Sequence, residues 1–176
     1  GVAVDSGRRH ISGFCRVEVE GRVLQARQPI YLMLHKPRGC VSATIDSRHP
    51  TVLDLIDLPS KEQLHLAGRL DFNTTGLLLL TNDGNWSRKI TLPQRKIAKT
   101  YRVETKDEIT ARLLSANTAE LTLHEGRYHQ IKRMFGFFRN EVIGLHRLSM
   151  GSIVLDASLL PGQYRHLSPA EVASMR

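Results

Sequence analysis

Residues 68–84 read Gly68-Arg-Leu-Asp-Phe-Asn-Thr-Thr-Gly-Leu-Leu-Leu-Leu-Thr-Asn-Asp-Gly84. Apolar runs at 64–67 and 77–80 predict two buried strands, and Arg69 and Asp71 lie between them. A carboxylate at such a junction has a fixed position, and a cation nearby favours its ionised form. The spacing alone supports two interpretations equally. Asp71 is either a reacting group kept ionised by Arg69, or half of an Arg–Asp pair that closes a hairpin.

The remaining sequence alternates short β-rich runs with tight turns. A hairpin is predicted over 17–23, turning at Gly21, and further strands are predicted at 30–34, 100–104, 119–124, 142–148 and 152–155. Helices are predicted at 52–56, 86–92, around 131–138 and, from a capping box that begins at Ser168, near the C-terminus. Strands outnumber helices, so we expect an α+β fold: a mixed, mostly antiparallel β-sheet with flanking helices.

The composition indicates a globular protein with a basic surface. The 176 residues are 41% apolar, which is enough for one good core. No apolar run approaches the ~20 residues of a membrane span, so we expect no membrane partner. Lys and Arg number 25 against 17 Asp and Glu, a formal net charge of +8, which favours nucleic acid as the partner. Cys15 and Cys40 lack C-x-x-C spacing, so neither a disulfide nor a zinc site is expected, and both fit the reducing cytoplasm.

Segment 68–84 closely resembles motif II of the RsuA-type ribosomal RNA pseudouridine synthases, G-R-L-D-x-x-(T/S)-x-G-L-L-L-x-T-(N/D)-D-G, at every fixed position. Three other segments resemble the same family: Tyr31-Leu-Met-Leu-His-Lys-Pro-Arg-Gly39, Lys99-Thr-Tyr-Arg-Val103 and Gly126-Arg-Tyr-His-Gln-Ile-Lys-Arg-Met-Phe135. They look like the family's first strand, its K-x-Y strand and its motif III. His35 stands where that first strand usually has Asn. The resemblance extends from about Ile30 to Met175.

The resemblance implies isomerisation of uridine to pseudouridine in ribosomal RNA. This reaction breaks the N1–C1′ bond, turns the uracil and rejoins it through C5. No electrons are exchanged, so no metal or other cofactor is expected. By resemblance, Asp71 is the nucleophile and Lys132 reaches its carboxylate, while Tyr101 stacks on the flipped base against the aliphatic wall of Ile131. Arg69 is expected to anchor the flipped nucleotide or its phosphates.

Each role has a structural alternative. Tyr101 and Ile131 could be ordinary core residues, and Lys132 and Arg133 could form a solvated helix face. His129 could be a capping or packing residue, and we assign it no proton transfer. For RNA binding, we expect phosphate contacts from the cluster with Arg127 and Arg133 and from the basic turn with Lys36 and Arg38.

Three other functions are compatible with parts of the sequence. A 23S rRNA synthase of the same family is the nearest alternative, although segments 49–54, 85–91 and 155–164 look more like the small-subunit, 16S branch. A non-catalytic rRNA-binding or assembly factor would be expected to have lost Asp71. A glycosidase needs a second acid beside Asp71, and Asp83 is better explained as a helix cap.

The resemblance also predicts the domain organisation. Residues 1–29 are interpreted as the trailing edge of an N-terminal S4-like domain plus a linker, and 30–176 as the catalytic domain. The segment 104–114 is shorter than the family pattern, which indicates a deletion or an omitted loop. The expected partner is 16S rRNA or a ribosome-assembly intermediate, bound by a monomer in the cytoplasm.

Overall fold

A computed structural model describes residues 2–4, 6–109 and 116–175. The strands are β1 (Val17–Val19), β2 (Arg22–Gln25), β3 (Tyr31–Lys36), β4 (His65–Leu66), β5 (Thr75–Thr81), β6 (Lys99–Thr105), β7 (Thr118–Leu123), β8 (Val142–Met150), β9 (Ile153–Val154) and β10 (Tyr164–His166). The helices are α1 (Gly84–Thr91), α2 (Gln130–Phe137) and α3 (Pro169–Ser174), with 3₁₀ turns at Val52–Leu55, Lys61–Gln63 and Pro93–Arg95. None of the helices in these ranges is long and apolar enough to cross a bilayer.

An eight-stranded mixed sheet forms the body of the described structure. Its order is β10-β3-β5-β8-β6-β7, with β4 added to β5 and β9 added to β8. All of these pairs are antiparallel except β5 with β8, which are parallel over Thr75↔His146 and Gly76↔Arg147. The predicted mostly antiparallel α+β fold is therefore confirmed.

Strand β5 lies in the interior of the sheet and is apolar on both faces. Leu77, Leu78, Leu79 and Leu80 are all fully buried, as expected for a continuous apolar run covered on both sides. Leu77 and Leu79 join the core cluster beneath α1 and α3, while Leu78 and Leu80 join a second cluster with the 3₁₀ turn at Val52–Leu55. The sheet is thus sandwiched between two layers.

Two strands share one edge of β5. Strand β8 occupies its beginning and β4 its end, where His65 pairs with Thr81 and Leu66 with Leu80. At the β8 contact a side chain on Gly76 would lie 2.6 Å from the Arg147 amide nitrogen, and Gly76 has φ +104°, so only glycine fits. The loop 67–74 connects β4 to β5 and places Asp71 close to the point where β8 joins.

The ends of α1 and α3 confirm the predicted caps. The Asp83 carboxylate accepts hydrogen bonds from the Asn85 and Trp86 amides, which satisfies otherwise unpaired donors at the start of α1. At α3, Ser168 and Glu171 form the expected capping box. Arg165 donates two hydrogen bonds to Glu171 at 2.8 and 2.9 Å.

The N-terminal segment forms its own small sheet. Strands β1 and β2 pair antiparallel around Glu20 and Gly21, both with positive φ, as in the tight turns that join hairpins. This confirms the predicted hairpin. The side chain of Asn82 binds the following segment by donating to the Gln28 carbonyl and accepting from the Ile30 amide. The interpretation of residues 1–29 as part of an S4-like domain stays a prediction.

Two helix expectations need correction, and one expectation lies outside the described residues. The helix predicted at 52–56 is a 3₁₀ turn. In α2 only Ile131 is buried, while Met134 and Phe138 are exposed, because nothing in the described structure packs over that face. The question about segment 104–114 falls largely on residues 110–114, outside the described ranges. The hairpin joining β6 and β7 is described on both sides, with Ile109 donating to the Ala116 carbonyl.

Candidate active site

One cleft brings together all five residues predicted to act in catalysis. It has a volume of about 480 Å³ and lies between the loop 67–74, the β6–β7 pair and the start of α2. Its lining includes Asp71, Arg69, Tyr101, Ile131 and Lys132. Residues separated by up to 63 positions in the chain thus share one solvent-accessible site. Their roles in catalysis stay predictions.

The side chains that contact the Asp71 carboxylate come from motif III. The Asp71 Oδ2 atom lies 3.2 Å from His129 Nε2 and 3.7 Å from Lys132 Nζ. The predicted reach of Lys132 to the carboxylate is therefore present. Within the described residues Arg69 forms no ion pair with Asp71, so the interpretation of the two as an Arg–Asp pair that closes a hairpin is wrong. Arg69 instead lines the cleft as an exposed cation.

Lys36 supports the Asp71 loop from below. Its Nζ atom is buried and donates to the carbonyls of Asp71 at 3.1 Å, Phe72 at 3.3 Å and Thr74 at 3.0 Å, as well as to that of Pro37. Burial lowers the pKa of Lys36, whereas the neighbouring Cys40 and Asp71 act in the opposite direction. The Lys36 amine thus binds three backbone carbonyls of the loop 67–74 and holds this loop in one conformation.

The prediction that Lys36 contacts RNA phosphates is wrong, because the Lys36 amine is buried and bound to carbonyls of the Asp71 loop. Strand β3 continues to Lys36, and the two-residue period places Lys36 on the same face as the buried Leu32 and Leu34. Because Pro37 and Gly39 are turn residues, the sequence predicted an exposed basic turn that begins at Lys36, whereas in the structure the strand includes Lys36 and the turn begins one residue later. The alternation along β3 was the signal that could have revealed the burial.

Further hydrogen bonds fix both sides of the loop. Ser42 Oγ donates to the Leu70 carbonyl at 2.6 Å and accepts from the Leu70 amide at 3.0 Å. The Thr74 amide donates to the Asp71 carbonyl, and the Gly39 amide donates to that of Phe72. The backbone on either side of Asp71 is held, so the carboxylate is positioned before a substrate arrives.

Apolar and aromatic side chains form the walls around the carboxylate. Tyr101 is half-buried: its ring packs against the second core cluster and also lines the cleft. Ile131 is buried and lines the cleft from α2. Leu145 of β8 adds a further apolar contact surface that sequence reasoning did not single out. These groups leave a slot in which a planar base can stack.

His129 is the polar residue that sequence reasoning left without a role. It precedes α2 with a left-handed backbone (φ 49°, ψ 31°), a conformation in which histidine is enriched relative to most residues. The Nε2 atom at the edge of the ring contacts Asp71, and one face of the ring stacks on Tyr128 with ring centroids 3.8 Å apart. The sequence offered no signal for this orientation, because it depends on one backbone dihedral.

The three arginines predicted to bind RNA lie at different places on the surface. Arg127 is exposed at the cleft, with its Nε atom 2.8 Å from Glu125, and Arg133 is exposed on α2. Arg38 donates to the Ile143 carbonyl and lines a different, smaller pocket. Phosphate contacts by these three arginines stay predictions.

A second acid lines the cleft that contains Asp71. That acid is Glu125. Its carboxylate is half-exposed and bound to the Arg127 guanidinium. A glycosidase needs two acids that act on the same bond, and the Glu125 carboxylate contacts Arg127 instead. The geometry favours chemistry at a single carboxylate.

Comparison with known proteins agrees with this geometry. The family model "RNA pseudouridylate synthase" matches residues 30–136. The chain is 48% identical to "Ribosomal small subunit pseudouridine synthase A" of Pseudomonas aeruginosa, covering 99% of this chain and 87% of that protein. It is 42% identical to the protein of the same name from Escherichia coli K12, covering 86% and 76%. A solved structure, "Crystal structure of pseudouridylate synthase", has a TM-score of 0.81 and 38% identity over 98% of this chain and 85% of its own. The resemblance seen in the sequence is confirmed, and the chain belongs to the RNA pseudouridylate synthase family.

Proposed function

We propose that this protein isomerises one uridine of 16S ribosomal RNA to pseudouridine, with Asp71 as the nucleophile. The observation that carries the proposal is the Asp71 carboxylate: Lys36 binds the backbone of its loop, and Lys132 and His129 contact the carboxylate inside an aromatic and aliphatic slot. The relatives named as small-subunit pseudouridine synthases support the choice of 16S rRNA. The net charge of +8 supports a polyanionic partner.

The reaction needs little beyond a fixed carboxylate and a place to keep the base. Asp71 attacks the bound uridine and the N1–C1′ bond breaks. The freed uracil turns so that C5 bonds to C1′, and the bond to Asp71 is broken so that the carboxylate is regenerated. The proton that leaves C5 is balanced by the proton gained at N1, and no electrons are exchanged. An ionised carboxylate is required at the start, and Lys132 Nζ lies 3.7 Å from its Oδ2 atom.

The walls of the cleft prevent loss of the detached base. The ring of Tyr101 provides one stacking surface, and Ile131 with Leu145 provides aliphatic contacts. Stacking on an aromatic side chain contributes ~1–3 kcal/mol per base. Arg69 is exposed in the cleft, which supports its proposed role of holding a phosphate of the extruded nucleotide. Extrusion is required because the reacting bond is not accessible within a stacked helix.

The alternatives differ in what they predict for Asp71. A non-catalytic rRNA-binding factor has no need for a carboxylate whose loop is held by a buried lysine and which Lys132 and His129 contact. We further propose that the enzyme acts as a monomer in the cytoplasm on 16S rRNA or an assembly intermediate. Residues 1–29 are proposed to continue an S4-like domain.

The experiment is incubation of the purified protein with 16S and 23S rRNA transcripts, followed by carbodiimide-stop mapping of pseudouridine. We expect one new stop in 16S rRNA with wild-type protein and none with Asp71→Asn. A stop in 23S rRNA alone would assign the large-subunit branch. RNA binding without any stop would indicate an assembly factor, and release of free uracil would indicate a glycosidase.

A further inference from the structure

The outer face of α2 carries an apolar surface that packs against nothing in the described structure. Phe137 is 84% exposed, Phe138 77% and Met134 42%. Together with Arg127, Gln130 and Arg133 these side chains line a groove of about 420 Å³. We call it the α2 groove. Adjacent, almost fully exposed phenylalanines are costly to leave in water, which indicates a binding surface.

The α2 groove is continuous with the Asp71 cleft. Arg127 and Gln130 line both. The Gln130 side-chain oxygen accepts a hydrogen bond from the Arg127 amide at 3.1 Å, which ties the shared wall together at the start of α2. A chain that places one residue against Asp71 therefore passes directly into the groove.

The charge of the groove suits a polyanion. Among the described residues that line it, none is acidic and two are arginines. Arg127 is already bound to Glu125, whereas Arg133 forms no ion pair within the described ranges, so its guanidinium is available. Arg139, also exposed, follows immediately after Phe138. An acidic or purely apolar protein segment would not account for both the rings and the arginines.

The rings of Phe137 and Phe138 contact each other but are open to solvent, unlike an aromatic pair in a protein core. Their centroids are 5.3 Å apart at an interplanar angle of 87°, so the rings meet edge to face. In this arrangement each ring keeps a face on which a planar group can stack. Unpaired nucleotides are recognised by this combination of aromatic faces and guanidinium groups.

We propose that the α2 groove binds the unpaired nucleotides next to the target uridine, with a neighbouring base stacked on Phe137 or Phe138 and its phosphate on Arg133. This inference rests on the proposed function. Extruding a uridine into the cleft removes a stacking partner from each of its neighbours. The groove begins where the cleft ends and replaces that stacking with protein aromatics.

The test compares Phe137→Ala/Phe138→Ala with the aromatic replacement Phe137→Trp/Phe138→Trp. Leu160→Ala serves as a matched control, since Leu160 is another exposed apolar residue, 65% accessible and outside both the cleft and the groove. The first probe is an RNA fragment centred on the uridine that the wild-type protein modifies. The second is an unpaired oligonucleotide of about twelve nucleotides, within the size range of single-strand sites, with 2-aminopurine at one position.

We expect the alanine pair to weaken RNA binding about tenfold, the equivalent of ~1.4 kcal/mol, and to raise KM far more than it lowers kcat. The tryptophan pair should retain wild-type affinity, and Leu160→Ala should bind like wild type. The fluorescence of 2-aminopurine should be quenched by wild type but not by the alanine pair.

Three outcomes would overturn the proposal: wild-type affinity and quenching in the alanine pair, an equal loss in Leu160→Ala, or a wild-type dimer in sedimentation that the alanine pair abolishes. The last result would assign the groove to a second copy of the chain. Failure of the proposed function is recognised separately, because wild-type protein would then form no pseudouridine. The oligonucleotide measurement would still test the groove directly.

Discussion

Replacing Lys36 by methionine tests how the Asp71 loop is held in place. Methionine keeps an unbranched apolar stem, but it removes the Nζ atom that donates to four carbonyls, those of Pro37, Asp71, Phe72 and Thr74. Leaving a buried carbonyl without a hydrogen-bond donor costs about 1–3 kcal/mol. Since burial also disfavours the Lys36 cation, part of that cost is offset, and we expect a loss of about 3 kcal/mol.

Urea denaturation and thermal melting measure the effect on stability. For a chain of this size, 3 kcal/mol corresponds to a fall in Tm of about 6–12 °C. Activity should fall as well, by about a hundredfold in kcat, since a displacement of 1 Å at a reacting group has an effect of that order. Arg38→Met is the matched control, because Arg38 is exposed two residues away and its replacement should change stability by less than about 0.5 kcal/mol. Wild-type stability and kcat in Lys36→Met would refute the supporting role of the buried amine.

Three further predictions concern acid stability, RNA affinity and base stacking. Arg165 lowers the pKa of Glu171 from its ordinary 4.5 to about 2. The ionised Glu171 carboxylate therefore stabilises the fold fully above pH 4.5, and this stabilisation is lost as the pH falls towards 2. Glu171→Gln should make the urea midpoint less dependent on pH in that window, and a pH dependence equal to that of wild type would contradict the stabilising role of the Glu171 carboxylate. Arg127→Ala with Arg133→Ala should reduce the salt dependence of RNA binding by about 0.7–0.9 log–log units for each phosphate that is no longer neutralised; an unaltered slope in filter binding at several salt concentrations would show that neither arginine binds phosphate. Tyr101→Phe keeps the stacking face and should lower kcat/KM much less than Tyr101→Ala; equal losses would assign the function to the hydroxyl group.

The parts of the fold that the sequence predicted depend on local patterns. The leucines at 77–80 identify a buried strand, and Asp83 is recognisable as a cap from the helix that follows it. The position of Asp71 between two strands also follows from local order. Motif resemblance then indicated that Tyr101 and Lys132 reach the same place, and both line the cleft.

The remaining features depend on tertiary geometry. Lys36 is buried because β3 runs one residue further than its turn residues suggest. His129 reaches Asp71 only because its backbone is left-handed. The side chain of Arg69 lies only two positions from Asp71 but does not meet it, since adjacent loop residues can point in different directions. The exposed face of α2 could not be distinguished from a core face by spacing alone.

The proposed catalysis depends on the charge of a single carboxylate. Asp71→Asn keeps the volume and most hydrogen bonds but removes the negative oxygen near Lys132 and His129. The fold should persist because the loop is held through backbone carbonyls and Ser42. RNA binding should persist as well, since phosphate contacts supply most of the affinity.

The most direct measurement is single-turnover formation of pseudouridine in 16S rRNA by folded Asp71→Asn protein at saturating concentration. We predict a rate indistinguishable from that of RNA without enzyme, while circular dichroism and RNA affinity match wild type. A rate within tenfold of wild type, about 1.4 kcal/mol in the barrier, would contradict catalysis by Asp71.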